Sequence, residues 1–489
     1  MFVAGTKENN QPTSSLPNES DLETRRKQFF NDFPPDAPSN LAKPTEFAKL
    51  LQRQTNTQIF CNRPWDAFST PVTLLHRVFG KFVDDCEVYI PDAKTTSFVW
   101  AFMEMMCDFY KDERARVEIV RKMFWKYFDI KLEPAEIGGS GFTTDGHASV
   151  GYSVYLNTEG KNEFGSTPAD PSMQSIVYGR YHVGNVNDRP GSRFPCLHMY
   201  YFGKNFCFLW PAKCLTLFTG PYLGFAGSAF TDHLHYEPLS PVIPLWFSRY
   251  DTKTFDSVAR IFGAFKNAVT MLKEFYSNPE PEPAPVKPTP TGGSPYRFPY
   301  PTMFTLLETG ASTAFSFVDQ IYGDRLLYVG STNPGTQNIV VKFTTRYSKE
   351  LHLHCSSREQ APPLLGCEAL DGGWFMIVMD RMIEHRPLST FNALDKARLS
   401  SWLKPRLSDL VHSFHEQDLV HGDLRDTNVL VSEDGMQVKL VDFDWGGKAG
   451  EVRYPSAINC TDFWRPEQAT DGVIITKEHD TDMIDKMFL

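Results

Sequence analysis

Three polar side chains near the C-terminal end of the sequence flank two short apolar runs, and their types are those that phosphate chemistry requires. Asp423 and Asn428 precede the run Val429–Val431, and Asp442 follows the run Val438–Val441. An acidic turn that contains glycine separates the runs, so the pattern predicts a β-hairpin that brings the three side chains to one end. Phosphoryl transfer needs a carboxylate that aligns the attacking hydroxyl group and oxygen ligands that hold Mg²⁺ on the phosphates. We therefore expect Asp423 to be the catalytic carboxylate, with Asn428 and Asp442 as metal ligands.

The two loops that carry these residues resemble the catalytic loop and the metal-binding loop of the protein-kinase superfamily. The segments are His421–Asn428 and Asp442–Asp444, and their separation along the chain is the usual one for that family. The resemblance implies a fold of two lobes, ATP and Mg²⁺ as cofactors, and transfer of a phosphoryl group to a hydroxyl group. It also places Arg425 where Ser/Thr kinases carry a lysine near the transferred phosphate.

The same resemblance assigns the residues that would bind ATP. Lys342, in a predicted strand, is the expected phosphate-contacting lysine, and Glu350 in the following helix is its expected ion-pair partner. The run Trp374–Met382 resembles the strand that enters the adenine-binding hinge, where Asp380 and Met382 would offer backbone groups to adenine.

Three departures from the kinase pattern bear on the expected activity. Gly422 replaces the arginine that in regulated kinases binds a phosphorylated activation loop, Asp444 replaces a glycine, and no Gly-x-Gly-x-x-Gly motif precedes Lys342. The first two favour small-molecule acceptors, whereas Arg425 favours protein Ser/Thr substrates. A pseudokinase that keeps these residues as relics of the fold is the alternative. Two weaker matches are Arg465-Pro466-Glu467 for the end of the activation segment, and Asp480 or Asp482 for the buried aspartate of the next helix.

A second group of polar residues lies in the first half of the chain. Asp145 precedes a predicted strand, and Glu159 and Lys161 follow that strand two positions apart, so they point to the same side. Asp145 and Glu159 would bind Mg²⁺ or Mn²⁺, and Lys161 would position a water molecule for attack on a phosphodiester. Gln174 and Tyr178 lie one turn apart on a predicted helix and would support the site.

This order of residues resembles the restriction-endonuclease-like PD-(D/E)-x-K superfamily, although the first motif is Thr144-Asp145 rather than Pro-Asp. The resemblance implies an α/β domain that cleaves nucleic acid, with Glu104 as a candidate for the acidic residue that the family often adds from its first helix. Candidate DNA contacts are Lys161, Arg180 and Arg189. A solvated strand end and an ordinary hairpin turn, without chemistry, are the alternative. The combination of both domains resembles fungal kinase-like proteins and Crinkler-type effectors.

The sequence predicts a multidomain α+β protein, because 489 residues exceed what one core accommodates. Residues 1–25 are a predicted disordered tail, and 26–276 contain a helical region and the α/β restriction-endonuclease-like domain. Residues 277–295 form a proline-rich linker. Residues 296–489 form a truncated, two-lobed protein-kinase-like domain with an N-lobe at about 300–382 and a partial C-lobe at 383–489.

Charge and cysteine content limit the partners and the compartment. The 49 Lys and Arg against 59 Asp and Glu give a net charge of −10, which excludes a general attraction to nucleic acid or anionic lipid but not a local basic groove. Nine cysteines without any Cys-x-x-Cys pair favour a reducing compartment. Neither a signal peptide nor a transmembrane segment is predicted. We expect an intracellular protein, in the cytoplasm or the nucleus, without a membrane partner.

These observations predict an ATP- and Mg²⁺-dependent phosphotransferase of Ser/Thr type, fused to a nuclease-like domain. Its expected partners are a nucleotide, a protein Ser/Thr substrate and, through the N-terminal domain, DNA. One alternative is a metal-dependent DNA nuclease in which the kinase-like domain senses nucleotide as a regulator. The other is a catalytically inactive scaffold.

Overall fold

The computed structural model describes residues 19–52, 59–65, 68–134, 141, 143–161, 168–182, 192–202, 221–231, 233–278, 297–321, 325–332, 335, 337–461 and 463–488. They belong to two units, one within Ser15–Tyr300 and one within Pro301–Leu489. The predicted start of the second domain, residue 296, is therefore too early. Residues 297–300 pack on the first unit, because the Tyr300 amide donates to the Leu74 carbonyl at 2.8 Å and Arg193 Nη2 donates to the Phe298 carbonyl at 3.2 Å. The predicted linker lies outside the described residues after Asn278.

The first unit is a mixed sheet with helices on both faces. Its helices are α1 (Glu19–Asp32), α2 (Pro38–Leu41), α3 (Pro44–Gln52), α4 (Val72–Leu75), α5 (Arg77–Val88), α6 (Ala93–Cys107), α7 (Glu113–Phe128), α8 (Pro171–His182) and α9 (Thr252–Ser277). Its strands are β1 (Ile59–Phe60), β2 (Gly146–Val150), β3 (Ser153–Lys161), β4 (Cys196–Phe202), β5 (Tyr222–Phe230), β6 (Leu234–Pro238) and β7 (Ile243–Pro244). The order is β1-β6-β5-β4-β3-β2, with β7 paired to β5. Strands β3 and β4 are parallel, and α8 lies in the connection between them.

Side chains that alternate between the two faces of the sheet explain why helices pack on both faces. In β5, Phe225 belongs to a core cluster shared with α5, α6, α7 and α9, whereas its neighbour Ala226 belongs to a cluster shared with α1, α3 and α8. Successive side chains of a strand point to opposite faces, so one strand supplies both cores. The larger core is rich in phenylalanine, with Phe98 and Phe262 fully buried and their ring centroids 4.9 Å apart.

Helix α1 begins inside the predicted disordered tail, so that prediction is wrong from Glu19 onward. The helix is ordered by tertiary contacts. The Arg26 guanidinium is fully buried and donates to the carbonyls of Ser192, Phe230 and Thr231 at 2.7–3.0 Å, while Phe29 packs in the core. The polar composition of this segment did not indicate these contacts, because only two of its side chains, Arg26 and Phe29, make them.

The second unit begins with an antiparallel sheet. Its strands are β8 (Met303–Thr305), β9 (Ser312–Gln320), β10 (Leu327–Thr332), β11 (Asn338–Thr344), β12 (Leu364–Leu370) and β13 (Trp374–Asp380), in the order β12-β13-β11-β10-β9-β8. Helix α10 (Lys349–Ser357) connects β11 to β12. The predicted turn Asp371–Gly373 joins β12 to β13, and its two glycines have φ of +83° and +71°.

The rest of the second unit consists of short strands and two longer helices. They are β14 (His385–Pro387), α11 (Ala393–His415), β15 (Leu419–Val420), β16 (Val429–Ser432), β17 (Val438–Leu440), β18 (Gly447–Lys448) and α12 (Lys477–Met487). The predicted apolar face of α11 is buried, with Leu407, Leu410, Val411 and Phe414 at most 4% exposed. Both units mix helices and strands, which confirms the predicted mixed class.

Candidate active sites

The predicted catalytic hairpin is formed by β16 and β17. Val429 pairs with Leu440 and Val431 with Val438, so the residues before the first strand and after the second lie side by side. The Asn428 amide nitrogen donates to the backbone carbonyl of Asp423 at 2.9 Å and to its carboxylate at 3.0 Å. The Val441 amide donates to the Asn428 carbonyl at 3.0 Å, which holds the Asp442 segment against the loop.

Two arginines hold the Asp423 carboxylate. Arg425 Nη2 lies 2.8 Å from Oδ2, and Arg465 Nη2 lies 2.7 Å from Oδ1. The Arg465 side chain is buried and lies over the Trp445 ring, 4.6 Å from its centroid. The contact with Arg425 brings together two residues predicted for catalysis. Arg465 was predicted only as part of a weak match, because its 42-residue separation from Asp423 gives no local signal.

A buried aspartate anchors the backbone of the catalytic loop. Asp480, on α12, accepts from the amides of His421 at 2.8 Å and Gly422 at 2.7 Å, and it is fully buried. Asp482, the other candidate for this position, is exposed. Gly422 has φ of +77°, a conformation that glycine adopts without strain.

Phe443 packs beneath α10 and holds the metal-binding loop. Its ring stacks on His352 with centroids 4.6 Å apart and also contacts His421 at 5.5 Å. The Ser348 amide donates to the Phe443 carbonyl at 3.0 Å. Burial lowers the pKa of His352 to about 4, so the stacked imidazole is neutral at physiological pH.

Lys342 contacts the metal-binding loop rather than α10. Its Nζ lies 2.6 Å from Asp442 Oδ1 and 2.6 Å from Asp444 Oδ1. Glu350 was predicted to be the partner of Lys342, and this pairing is wrong: Glu350 lies in the exposed first turn of α10. The loop that contains Asp442 supplies a second carboxylate to Lys342 instead, because Asp444 stands where the family pattern has a glycine.

Charge interactions in this group favour the ionised forms of Lys342 and Asp442. Burial alone would lower the pKa of Lys342, but the two carboxylates outweigh it and raise that pKa. Burial alone would raise the pKa of Asp442, but the neighbouring ammonium group outweighs it and lowers that pKa. Burial raises the pKa of Asp444 to about 6, since Lys342 is shared with Asp442.

Of the predicted hinge residues, Asp380 is the last residue of β13 and Met382 lies two positions beyond it. The Asp380 amide already donates to the Pro363 carbonyl at 3.0 Å, and the Asp380 side chain accepts from Gln337 at 3.1 Å. Met382 is half-buried just beyond the strand. The β9–β10 turn, where a glycine-rich loop would lie, includes Gly323, which is outside the described residues.

The first unit brings its predicted residues together as well. The Asp145 carboxylate accepts from the Gly160 amide at 2.8 Å, and Lys161 Nζ lies 3.2 Å from Glu159 Oε1. Lys161 also lies 3.6 Å from Glu113 Oε1, at the start of α7. Glu104, the candidate for an added acidic residue, is exposed on α6, so the helical carboxylate at this site is Glu113 instead. The sequence could not predict this contact, because nothing in the turn Asp112-Glu113 indicates which distant strand it approaches.

In this cluster Glu159 is buried and Asp145 is half-buried, and their carboxyl groups repel one another. Burial and the nearby Asp145 raise the pKa of Glu159 well above its usual value. Burial also raises the pKa of Asp145. Burial alone would lower the pKa of Lys161, but the three carboxylates around it outweigh that effect and raise it. Glu159 Oε2 is buried without a hydrogen-bond partner.

Gln174 and Tyr178 lie on α8 as predicted and are buried. Tyr178 donates to the Thr143 carbonyl at 2.9 Å and so holds the segment that leads to Asp145. Gln174 Oε1 is a buried acceptor without a partner. Within the described ranges, no group of three or more His, Cys, Asp or Glu side chains is arranged to hold a metal ion.

A sequence comparison supports the kinase resemblance over part of the chain. The chain is 31% identical over 105 residues to the serine/threonine-protein kinase crk1 of Schizosaccharomyces pombe, a match that covers 22% of this chain and 28% of that protein. The chain thus spans about a quarter of the length of this curated relative. A structural match to the Cydia pomonella granulovirus kinase PK-1 has a TM-score of 0.31 and 13% identity, and covers 36% of this chain and 68% of that one. No family model matches the chain.

The sequence similarity supports a kinase-like fold for part of the chain and nothing finer. It does not support the predicted nuclease-like domain or the resemblance to Crinkler-type effectors, which stay predictions. In the described part of the chain, no helix has both the length and the apolar composition needed to cross a membrane.

Proposed function

We propose that the second unit is an ATP- and Mg²⁺-dependent phosphotransferase of the protein-kinase-like, Ser/Thr type. The observation that carries the proposal is the convergence of Lys342, Asp442, Asn428 and Asp423, with Lys342 Nζ 2.6 Å from Asp442 and Asn428 3.0 Å from the Asp423 carboxylate. The four come from three separate segments of sequence. Their convergence is difficult to explain as a local structural accident.

The donor set fits a magnesium ion. Asn428 directs its side-chain amide nitrogen to Asp423. Its Oδ1 accepts a long contact of 3.4 Å from Thr427 Oγ1 and keeps a second lone pair for a metal ion. The lowered pKa of Asp442 keeps that carboxylate ionised. Oxygen donors of this kind suit Mg²⁺, and Mn²⁺ as an alternative. When bound, the ion would neutralise charge on the phosphates of ATP.

The residues of the chain then have distinct roles. Lys342 binds the phosphates, and Asp423 orients the acceptor hydroxyl group and accepts its proton. Arg425, beside Asp423, would bind charge on the transferred phosphate. The backbone at Asp380 and Met382 would hold the adenine. A protein Ser/Thr acceptor is supported by the similarity to a serine/threonine-protein kinase and by Arg425.

Substitutions at two aspartates test the proposal. Asp442→Ala should abolish transfer of radiolabelled phosphate from ATP, because it removes the metal ligand. Asp423→Ala should still bind the nucleotide but lose transfer by about 10²–10⁴-fold, because only the alignment of the hydroxyl group disappears. Autophosphorylation and calorimetric ATP binding, each with and without EDTA, measure the two effects.

A matched control is Asp482→Asn, which changes an exposed carboxylate on α12 and should leave both readings unchanged. If both aspartate variants keep wild-type autophosphorylation, the assigned roles are wrong. If the wild-type chain binds ATP without transfer, the unit is a nucleotide sensor or a scaffold.

A metal-dependent nuclease is the second candidate, for the first unit. The observation that favours it is the contact of Lys161 with Glu159 and Glu113, next to the Gly160 amide that holds Asp145. Glu159 Oε2, which is buried without a hydrogen-bond partner, is suited to bind a cation. Asp145 and Glu159 would hold the ion, which would polarise a phosphodiester, while Lys161 would position the attacking water. Cleavage of plasmid DNA with Mg²⁺ or Mn²⁺ tests it.

A further inference from the structure

The environment of the Lys342 ammonium group includes a carboxylate that kinases of the usual pattern do not have. Asp444 Oδ1 lies 2.6 Å from Lys342 Nζ, and the other oxygen of Asp444 accepts from Thr344 Oγ1 at 3.1 Å. Thr344 lies two positions after Lys342 on β11, so one strand holds both ends of the carboxylate. Both oxygens of Asp444 therefore have a polar neighbour on β11, although Thr344 Oγ1 shares its one proton with the Arg346 carbonyl at 3.0 Å. The charged contact with Lys342 is the main one that orients Asp444.

Helix α10 provides no substitute for this carboxylate. Its one acidic residue, Glu350, lies in the exposed first turn, and the buried side chains of the helix are Leu351, His352 and Cys355. Among the described residues, the His352 ring donates from Nε2 to the Pro362 carbonyl and accepts at Nδ1 from the Tyr347 hydroxyl. The helix thus contacts the Phe443 ring but does not reach the ammonium group.

The second partner of Lys342 cannot hold it alone during turnover. Asp442 is the proposed ligand of the magnesium ion, and a carboxylate that binds a divalent cation attracts a neighbouring ammonium group less strongly. Asp444 has no such competing assignment. An ammonium group with one fixed carboxylate partner keeps its position when the other partner binds metal.

We propose that Asp444 is the positioning residue of Lys342 and takes the role that Glu350 was expected to have. The inference rests on the proposed phosphotransferase function. Because Asp444 lies two residues after Asp442, the position of the lysine is set by the metal-binding loop itself. A displacement of α10 would then leave Lys342 in place, so the site needs no helix movement to become competent.

A double-mutant cycle tests this role. Asp444→Ala should lower kcat/KM for ATP at least tenfold, and the isosteric Asp444→Asn should lower it less, because it keeps hydrogen bonding without charge. In a Lys342→Ala background, Asp444→Ala should cause less than a twofold further loss, because its target is gone. Glu350→Ala should stay within twofold of wild type.

The same cycle is measured for ATP binding by calorimetry and for the Mg²⁺ concentration at half-maximal binding. Losses that multiply in the double variant, or a shift in Mg²⁺ requirement that persists without Lys342, would overturn the proposal. So would a tenfold loss in Glu350→Ala. If the wild-type chain binds ATP without transferring phosphate, the phosphotransferase proposal fails, while the binding cycle still decides the role of Asp444. Thermal unfolding of Asp444→Asn verifies that the fold is retained.

Discussion

The buried carboxyl groups of the two sites differ in how well neighbouring groups neutralise their charge. Asp423 is buried, but two guanidinium groups and an amide surround its carboxylate. Glu159 is 1% exposed, has one unpartnered oxygen, and shares Lys161 with two other carboxyl groups. Burying an unpartnered polar atom costs about 1–3 kcal/mol. The position of Glu159 is therefore unfavourable for stability, as is common where a residue is kept for function.

Glu159→Gln should make the first unit more stable at neutral pH. The change removes the repulsion with Asp145 and the cost of a buried charge, while Lys161 keeps Glu113 and Asp145 as neighbours. We expect a gain of about 1 kcal/mol, the size of a typical stabilising substitution. Calorimetric unfolding measures it. Glu118→Gln, on the exposed face of α7 where it pairs with Lys122, is the control and should change stability by less than about 0.5 kcal/mol. A loss of stability in Glu159→Gln would mean that its pairing with Lys161 outweighs the burial.

Residue types predicted side chains that the structure brings together, but not all of their partners. Asp423, Asn428 and Asp442 could be found because they are close in sequence and flank a hairpin. The pairing of Lys342 with Glu350 failed because it was carried over from a family pattern. This chain has a carboxylate at Asp444, on a loop that already approaches the lysine. Arg465 and Glu113 were missed because long-range contacts leave no periodic signal.

At the scale of elements, the loop between β15 and β16 depends on glycine at position 422. The residue has φ of +77°, and a Cβ atom there would lie 2.7 Å from Ile475 Cδ1. Its amide also binds Asp480 on α12. The glycine thus does more than replace an arginine, because the backbone at this point disfavours any side chain.

Gly422→Ala should destabilise the second unit by about 2 kcal/mol, from the left-handed conformation and the contact with Ile475. Gly450→Ala is a matched control, because that glycine has φ of +83° but open space around its Cβ position. It should cost about 1 kcal/mol, the conformational share alone. Ile475→Val should recover part of the difference. Thermal unfolding measures all three. Equal losses in the two glycine variants would show that Ile475 moves aside freely.

Elements with strong local patterns were the ones that the sequence predicted well. Helices α9 and α11 follow from apolar spacing, and the β12–β13 and β16–β17 hairpins follow from turn residues between apolar runs. Helix α1 did not follow, because Arg26 is ordered by carbonyl groups more than 160 residues away. The start of the second unit was misplaced for a similar reason. Residues 297–300 are polar and aromatic, and only their contacts show which unit they join.

For the molecule as a whole, each candidate site is built from one unit. The partners of Lys161 are Glu159 and Glu113, all within Ser15–Tyr300, and those of Lys342 are Asp442 and Asp444, all within Pro301–Leu489. A substitution at one site should therefore not change the charges at the other.

Because each site lies within one unit, we expect a substitution at one site to leave the activity of the other unchanged. Asp145→Asn and Lys161→Ala should each abolish cleavage of plasmid DNA and leave ATP turnover unchanged, and Asp442→Ala should do the reverse. Lys122→Ala, which removes an exposed lysine of the first unit, is the control for Lys161→Ala. Because the net charge of −10 opposes DNA, binding must depend on local Lys and Arg side chains. Contacts of these side chains with phosphates release counterions, so cleavage should weaken steeply between about 50 and 200 mM salt. Loss of ATP turnover in Asp145→Asn would show that the sites are coupled. A folded wild-type chain that cleaves neither DNA nor RNA with Mg²⁺ or Mn²⁺ would leave the first unit as a binding module whose buried carboxylates have another use.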